Sequence, residues 1–293
     1  MNSLTVTLRL LPILLVTLLS SVSCSRVTLV YHSADFVIRQ YANDSLHLTE
    51  DQLADWEPSL NTALDRHRSE ELPLLAGFFD ALLQASQSGF DQPRMTCLIA
   101  SFREIYQHHA RIAVTLASPL LASLTPAQID RLERRFTKDA RDDRADLTRR
   151  DWPHEQQKRA RRYRKAIEGW VGSLQDSQAT LVAGITARMP DSEAAIVDYR
   201  IRKREELLAV LRDHADASRI EAFMSAWLVD FSDLPPTLEH DSQLIGQRIS
   251  ELFIELGASL DDGQRQRLHK RLHELVDDLM QLQKQPRMEH IRC

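Results

Sequence analysis

"LTPAQIDRLERRF", residues 124–136, decides the fold class because the chain uses it twice: "LTEDQLADWEPSL" begins at Leu48 with the same spacing. A threonine followed three residues later by glutamine is a capping box. The hydroxyl accepts a bond from the glutamine N–H, and the glutamine side chain reaches back to the threonine N–H. Thr49 and Thr125 are therefore read as helix N-caps, with Gln52 and Gln128 at the third helical position. Leu48 and Leu124 precede the caps, and Leu53 and Ile129 follow the glutamines, so each pair can close a hydrophobic staple. Downstream, Leu53, Trp56, Leu60 and Leu64 fall at the same offsets as Ile129, Leu132, Phe136 and Ala140. That is the buried stripe of an amphipathic helix. Weaker echoes stand at Leu174 ("LQDSQ") and Leu260 ("LDDGQ"). Asp261 can still cap there, whereas Gln175 is a poor cap. The four sites lie 76, 50 and 86 residues apart, so they are not the fixed-period repeats of a solenoid.

The rest of the chain also reads as helix after helix. Helices are expected from about Ala34 and from Thr49, through the apolar run Leu74 to Leu83, and from about Met95 to a stop at Pro119. Further helices are expected at about 125–150, 153–172, 176–188, 191–213, 218–231, 238–257 and 262–284. Pro73, Pro153, Pro190 and the "LPP" of 234–236 mark breaks. Ser218, three residues before Glu221, is the expected cap of the helix at 218. No alternating strand pattern stands out, and only 8 glycines occur in 293 residues, too few for a many-hairpin β protein. The expected class is all-α: an irregular antiparallel bundle of about 9–11 helices in a single domain, 24–293, with a subdomain break allowed near 234–237.

Residues 1–23 are read as a signal peptide. Arg9 is the one charge, an apolar run spans Leu10 to Leu19, and small residues lead to Cys24. The run is too short for a comfortable membrane span. Ser21 and Ser23 suit ordinary cleavage into a soluble periplasmic protein. Cys24, behind a small residue, suits a lipoprotein signal in which the cysteine is lipidated, although Ser21 stands where leucine is usual. The lipoprotein reading is adopted. Cys97 and Cys293 are then left in an oxidising compartment, where a disulfide is open to them. A buried Cys97 thiol and a frayed C-terminal Cys293 are the expectation.

The charge of −5 argues against a dedicated nucleic-acid binder. The basic run "QQKRARRYRK" is the candidate contact surface. Lys158, Arg159, Arg161, Arg162, Arg164 and Lys165 put six cations in ten residues without an acid. Arg202 and Arg204, in "YRIRKREE", offer a second cluster. If the two helices pack side by side, they form one surface for anionic lipid head groups, lipopolysaccharide or peptidoglycan. A solvated face balanced by nearby aspartates is the alternative. His269 and His273 share a helix face but lack a third ligand. His108 and His109 are adjacent and expected to point apart. His67 and Arg68 precede Glu70 and Glu71 and read as a local salt-bridge turn. No P-loop, nucleophile elbow, dinucleotide fingerprint or C-x-x-C occurs, so neither catalysis nor a metal or other cofactor is expected.

The L-T-x-x-Q motif resembles that of small helical envelope-stress chaperones of the bacterial periplasm. A broader set of features resembles an uncharacterised family of helical proteobacterial lipoproteins. That set is the signal ending at Cys24, Tyr31 and Asp35, "LTEDQ", "HRSEELP" (67–73), "LTPAQ", the arginine-rich run and "EGWVGSLQDSQ" (168–178). The resemblance covers most of the chain to about residue 230 and implies an envelope lipoprotein without supplying an activity. In enteric lipoproteins an aspartate after the lipidated cysteine favours the inner membrane. Ser25 stands there, so the resemblance implies the periplasmic face of the outer membrane in a Gram-negative cell. The expectation is a lipid-anchored, non-enzymatic binding or scaffold module whose partner is an anionic envelope component or another protein. A chaperone-like client binder is the alternative.

Overall fold

The structure is a computed structural model that describes Tyr31 and residues 33–293. Among the described residues all regular structure is helical, in eleven α-helices and one π turn. The class and helix number agree with the sequence reading. Cys24 and the signal peptide lie outside the described residues.

Helices α1 (Ala34–Leu46) and α2 (Glu50–Arg66) open the fold. The second runs through a π turn, His67–Glu71, into α3 (Leu72–Ser88). The expected break before Pro73 takes the form of this π turn, and Pro73 stands in the first turn of the next α-helix. The Leu72 N–H bonds the His67 carbonyl five residues back. The widened turn absorbs Pro73, which has no N–H to give. Helix α4 (Gln92–Ala122) carries Pro119 inside its last turn rather than stopping before it. A proline so near the end forfeits one backbone bond and continues the helix. Then come α5 (Pro126–Thr148), α6 (Trp152–Val171), α7 (Asp176–Ala187), α8 (Glu193–Arg212) and α9 (Ala217–Leu228). The cap of α9 is Asp216, whose carboxylate accepts from the Arg219 N–H, and not Ser218. Helices α10 (Pro236–Ser259) and α11 (Asp262–Gln281) complete the bundle. The helices on either side of 234–237, α9 and α10, both pack on α4.

Both capping boxes form, and their glutamines do more than cap. Gln52 and Gln128 pair amide to amide, with Nε2 to Oε1 distances of 3.2 and 2.8 Å. The Gln52 amide also donates to the Ser123 carbonyl, and the Gln128 amide donates to the His47 carbonyl, both at 2.8 Å. Each glutamine thus satisfies its own N-cap and the chain just before the other's. The clasp ties the starts of α2 and α5 into the largest core cluster, beside Leu48, Leu53, Leu124 and Ile129. A second clasp, Gln178 with Gln264, ties α7 to α11 in a separate cluster with Leu174 and Leu260.

Cys97 and Cys293 form a disulfide, so the expectation of a free buried thiol and a frayed terminus is corrected. Residues 282–293 form a strap rather than a continuation of α11. Lys284 pairs with Asp65, Arg287 donates to the Ser69 carbonyl, and the Glu289 N–H bonds the Pro73 carbonyl. The strap lies so close to α3 at Gly77 that a Cβ there would overlap the Glu289 carbonyl.

Candidate functional site

Two places merit the name. The first is the π turn, a distortion frequent at functional sites. Glu71 is 1% exposed, and its Oε2 makes no hydrogen bond among the described residues. His109 Nδ1 stands 3.1 Å from that oxygen, and His108 Nδ1 stands 3.6 Å from Oε1. The His67 and His109 rings meet in a T-shaped contact with centroids 4.9 Å apart. His67 Nδ1 lies 2.9 Å from the Tyr31 hydroxyl, and the Arg68 guanidinium covers the Tyr31 ring at 5.3 Å. Burial, and then the neighbouring His109, lower the His67 pKa to about 4. The imidazole is therefore neutral at pH 7 and available as an acceptor for Tyr31. The Tyr31 pKa is raised, chiefly by burial.

The sequence reading caught only the rim of this cluster. Arg66 pairs with Glu70, and Arg68 with Asp65, as a local salt-bridge turn would. Glu71 instead turns inward to α4. The expectation that His108 and His109 point apart is corrected by the same contact, because the two oxygens of one carboxylate reach both rings. The one signal available was the four-residue spacing of His67 and Glu71. Among the described residues no group of three or more His, Cys, Asp or Glu is placed to hold a metal ion.

The second place is the basic face of α6. Lys158, Arg161, Arg162 and Lys165 recur at helical spacing and are all exposed. Lys158 pairs with Glu155 at 2.9 Å, whereas Arg161, Arg162 and Lys165 have no ion pair among the described residues. Arg164 pairs with Glu168. Arg159 belongs to the fold rather than the surface. It donates to the Met189 and Pro190 carbonyls and covers the Trp152 ring at 5.0 Å. The second basic cluster does not join this face. Helix α6 packs on α7 and α11, whereas α8 packs on α5. Arg204 is buried, ion-paired with Asp139 at 3.6 Å, and so is corrected as a surface residue. Its pKa is lowered first by burial and then by Arg200. Arg202 is exposed but held by Glu206 and Asp233. The physical reason is the face each residue occupies: Arg204 falls on the side of α8 that packs on α5, whereas Arg202 falls on its exposed stripe with Asp198 and Glu205.

A family model described as a family of unknown function, DUF6279, matches residues 44–227. The chain belongs to this family. The DUF6279 match takes in both clasp glutamines of the first pair, the π turn, the paired histidines and the whole basic helix. It ends at Trp227 within α9 and leaves out α10, α11 and the strap. No curated protein and no solved structure matches the chain.

Proposed function

We propose that the protein is a lipid-anchored, non-enzymatic binding module of the bacterial envelope, held at Cys24 and meeting an anionic membrane surface through α6. The observation that carries this is the unpaired cationic stripe of Arg161, Arg162 and Lys165. Exposed charges of one sign without internal partners are free to meet phosphate head groups, each worth about 1 kcal/mol near an anionic surface. Tyr31, seven residues after Cys24, and Trp170, at the end of α6, pack against the same apolar cluster of Leu72, Phe79, Leu272 and Leu275. Seven residues span at most about 25 Å, so a lipid on Cys24 would hold the body close to its bilayer. The Cys97–Cys293 disulfide suits an oxidising compartment and supports the same reading. No helix among the described residues is long and apolar enough to cross a membrane. A lipid and a basic face together supply the two signals that stable attachment takes.

Metabolic labelling with a lipid precursor tests the anchor: label that persists in Cys24→Ala, or is missing from the natural chain, overturns it. Co-sedimentation of residues 25–293 with vesicles tests the face. Binding should need anionic lipid, fall with salt and be lost in Arg161→Gln/Arg162→Gln/Lys165→Gln.

One observation favours a second reading, a client-binding chaperone on the periplasmic side. Phe36 and Val37 on α1 are 66% and 56% exposed. Suppression of the aggregation of an unfolded protein, lost in Phe36→Ser/Val37→Ser, is its test.

A further inference from the structure

Helices α5 and α8 run antiparallel, with Asp143 paired to Arg200 and Asp139 paired to Arg204. These side chains are at most 7% exposed. Their bonding is incomplete: Arg200 Nε and Nη1, Arg204 Nη1 and Asp139 Oδ2 are buried without a hydrogen bond. Three of those four atoms are donors, so the layer holds a surplus of N–H groups, and native interiors seldom leave such groups unanswered.

Beside this layer the two helices leave an open groove of about 440 Å³. Small-molecule sites run from roughly 300 to 1,000 Å³. Phe136, Ile201 and Leu208 give the groove an apolar wall. Arg204 lines it too, its guanidinium 4.8 Å over the Phe136 ring. Arg141 and Arg144 stand on the rim, exposed and without an ion pair among the described residues. The acid at the far end, Glu133, is already held by Arg212, which leaves Glu205 as the lining carboxylate without an ion pair among the described residues. Arg141 and Arg144 therefore make one end cationic, and the middle is an apolar wall with Glu205 and the paired Arg204 beside it. The ion-pair register puts Arg144 beside the Ile201 turn and Glu133 beside Leu208. From Glu133 to Arg144 the groove follows α5 for about 16 Å.

We propose that the α5/α8 groove binds a single-chain amphiphile with an anionic head. Arg141 and Arg144 take the head, a carboxylate or phosphate, through charge-assisted bonds. The aliphatic chain lies on Phe136, Ile201 and Leu208, where burial contributes roughly 25 cal/mol per Å² of apolar surface. This site is separate from the basic face of α6 and needs no lipid on Cys24.

Calorimetric titration of residues 25–293 with dodecanoate, dodecyl phosphate and dodecyl maltoside, each below its micelle concentration, tests it. Both anions should bind saturably at one site, at least tenfold tighter than the maltoside. Arg141→Gln/Arg144→Gln should weaken the anions at least tenfold and leave the maltoside unchanged. Ala140→Leu, which narrows the groove, should weaken all three. A preference for dodecanoate identifies the head as that of a fatty acid, and a preference for dodecyl phosphate as that of a lysophospholipid. Absence of saturable binding by either anion to folded protein overturns the proposal. So does equal affinity for the maltoside, or indifference to the arginine pair.

Discussion

Gln178 and Gln264 hydrogen-bond each other twice, amide to amide, at 2.8 and 2.9 Å, although 86 residues separate them. Each also donates to the carbonyl just upstream of the other's helix, Ser259 for Gln178 and Ser173 for Gln264, both at 2.9 Å. Gln52 and Gln128 repeat the arrangement. The arrangement brings two helix N-termini together, which sets two positive dipole ends against each other. The glutamine oxygens sit between them and accept from both sides. This explains why Leu and Gln persist at all four sites while the capping residue varies: the cap serves one helix, and the glutamine serves two.

Gln264→Leu should therefore destabilise the fold by about 2–4 kcal/mol, because it takes the partner from the Ser173 carbonyl and one of two partners from each polar atom of the buried Gln178 amide. Gln264→Glu keeps the shape but puts an anionic oxygen where the Nε2 donor stood, facing two acceptors, the Ser173 carbonyl and Gln178 Oε1. Its folded pKa should be raised, so this variant should gain stability relative to the natural chain as pH is lowered from 8 to 5. Urea unfolding followed by circular dichroism measures both.

Gly77→Ala tests the strap. In the full chain the new methyl must displace the Glu289 backbone, at a cost of about 1–3 kcal/mol. In a chain ending at Gln283 the same change should be neutral or stabilising by up to about 1 kcal/mol, because alanine is the better helix former. Equal effects in the two backgrounds would mean that the strap does not lie on α3. Reduction of the Cys97–Cys293 bond should cost about 2–4 kcal/mol and open Lys284 and Arg287 to trypsin.

His67 makes stability depend on pH. Its folded pKa, about 4, lies below the unfolded value near 6.5. Between these values the unfolded chain binds more protons, so stability is full above about pH 6.5 and is lost as pH falls toward 4. The total loss is about 3 kcal/mol. Urea midpoints at pH 7 and 5 should differ less in His67→Gln than in the natural chain, and an unchanged difference would show that His67 is not buried neutral.

Asp143 and Arg200 should behave as a unit. Asp143→Leu alone leaves a buried guanidinium and should cost about 3–5 kcal/mol. Asp143→Leu/Arg200→Met should recover most of that, because an apolar pair of similar volume needs no desolvation of charge. A double variant as unstable as the single one would show that the layer is held by more than this pair.

The sequence by itself determined what local physics determines. Thr49, Thr125 and Asp261 cap where their spacing places them, and the leucine stripes bury the faces that their period dictates. Proline misled at Pro119, which the last turn of α4 absorbs, whereas Pro73 does open a helix, after a π turn in place of a loop. Tertiary structure alone decided the partners. Nothing local says that Gln178 faces Gln264, that Glu71 reaches His108 and His109, or that Cys293 returns to Cys97. A side chain's own segment fixes the direction in which it points, but its partner arrives from a helix tens or hundreds of residues away. The same reason divides the basic residues. Arg161 and Arg162 stay exposed because α6 buries its opposite face, whereas Arg204 is drawn inside because it falls on the face of α8 that packs on α5.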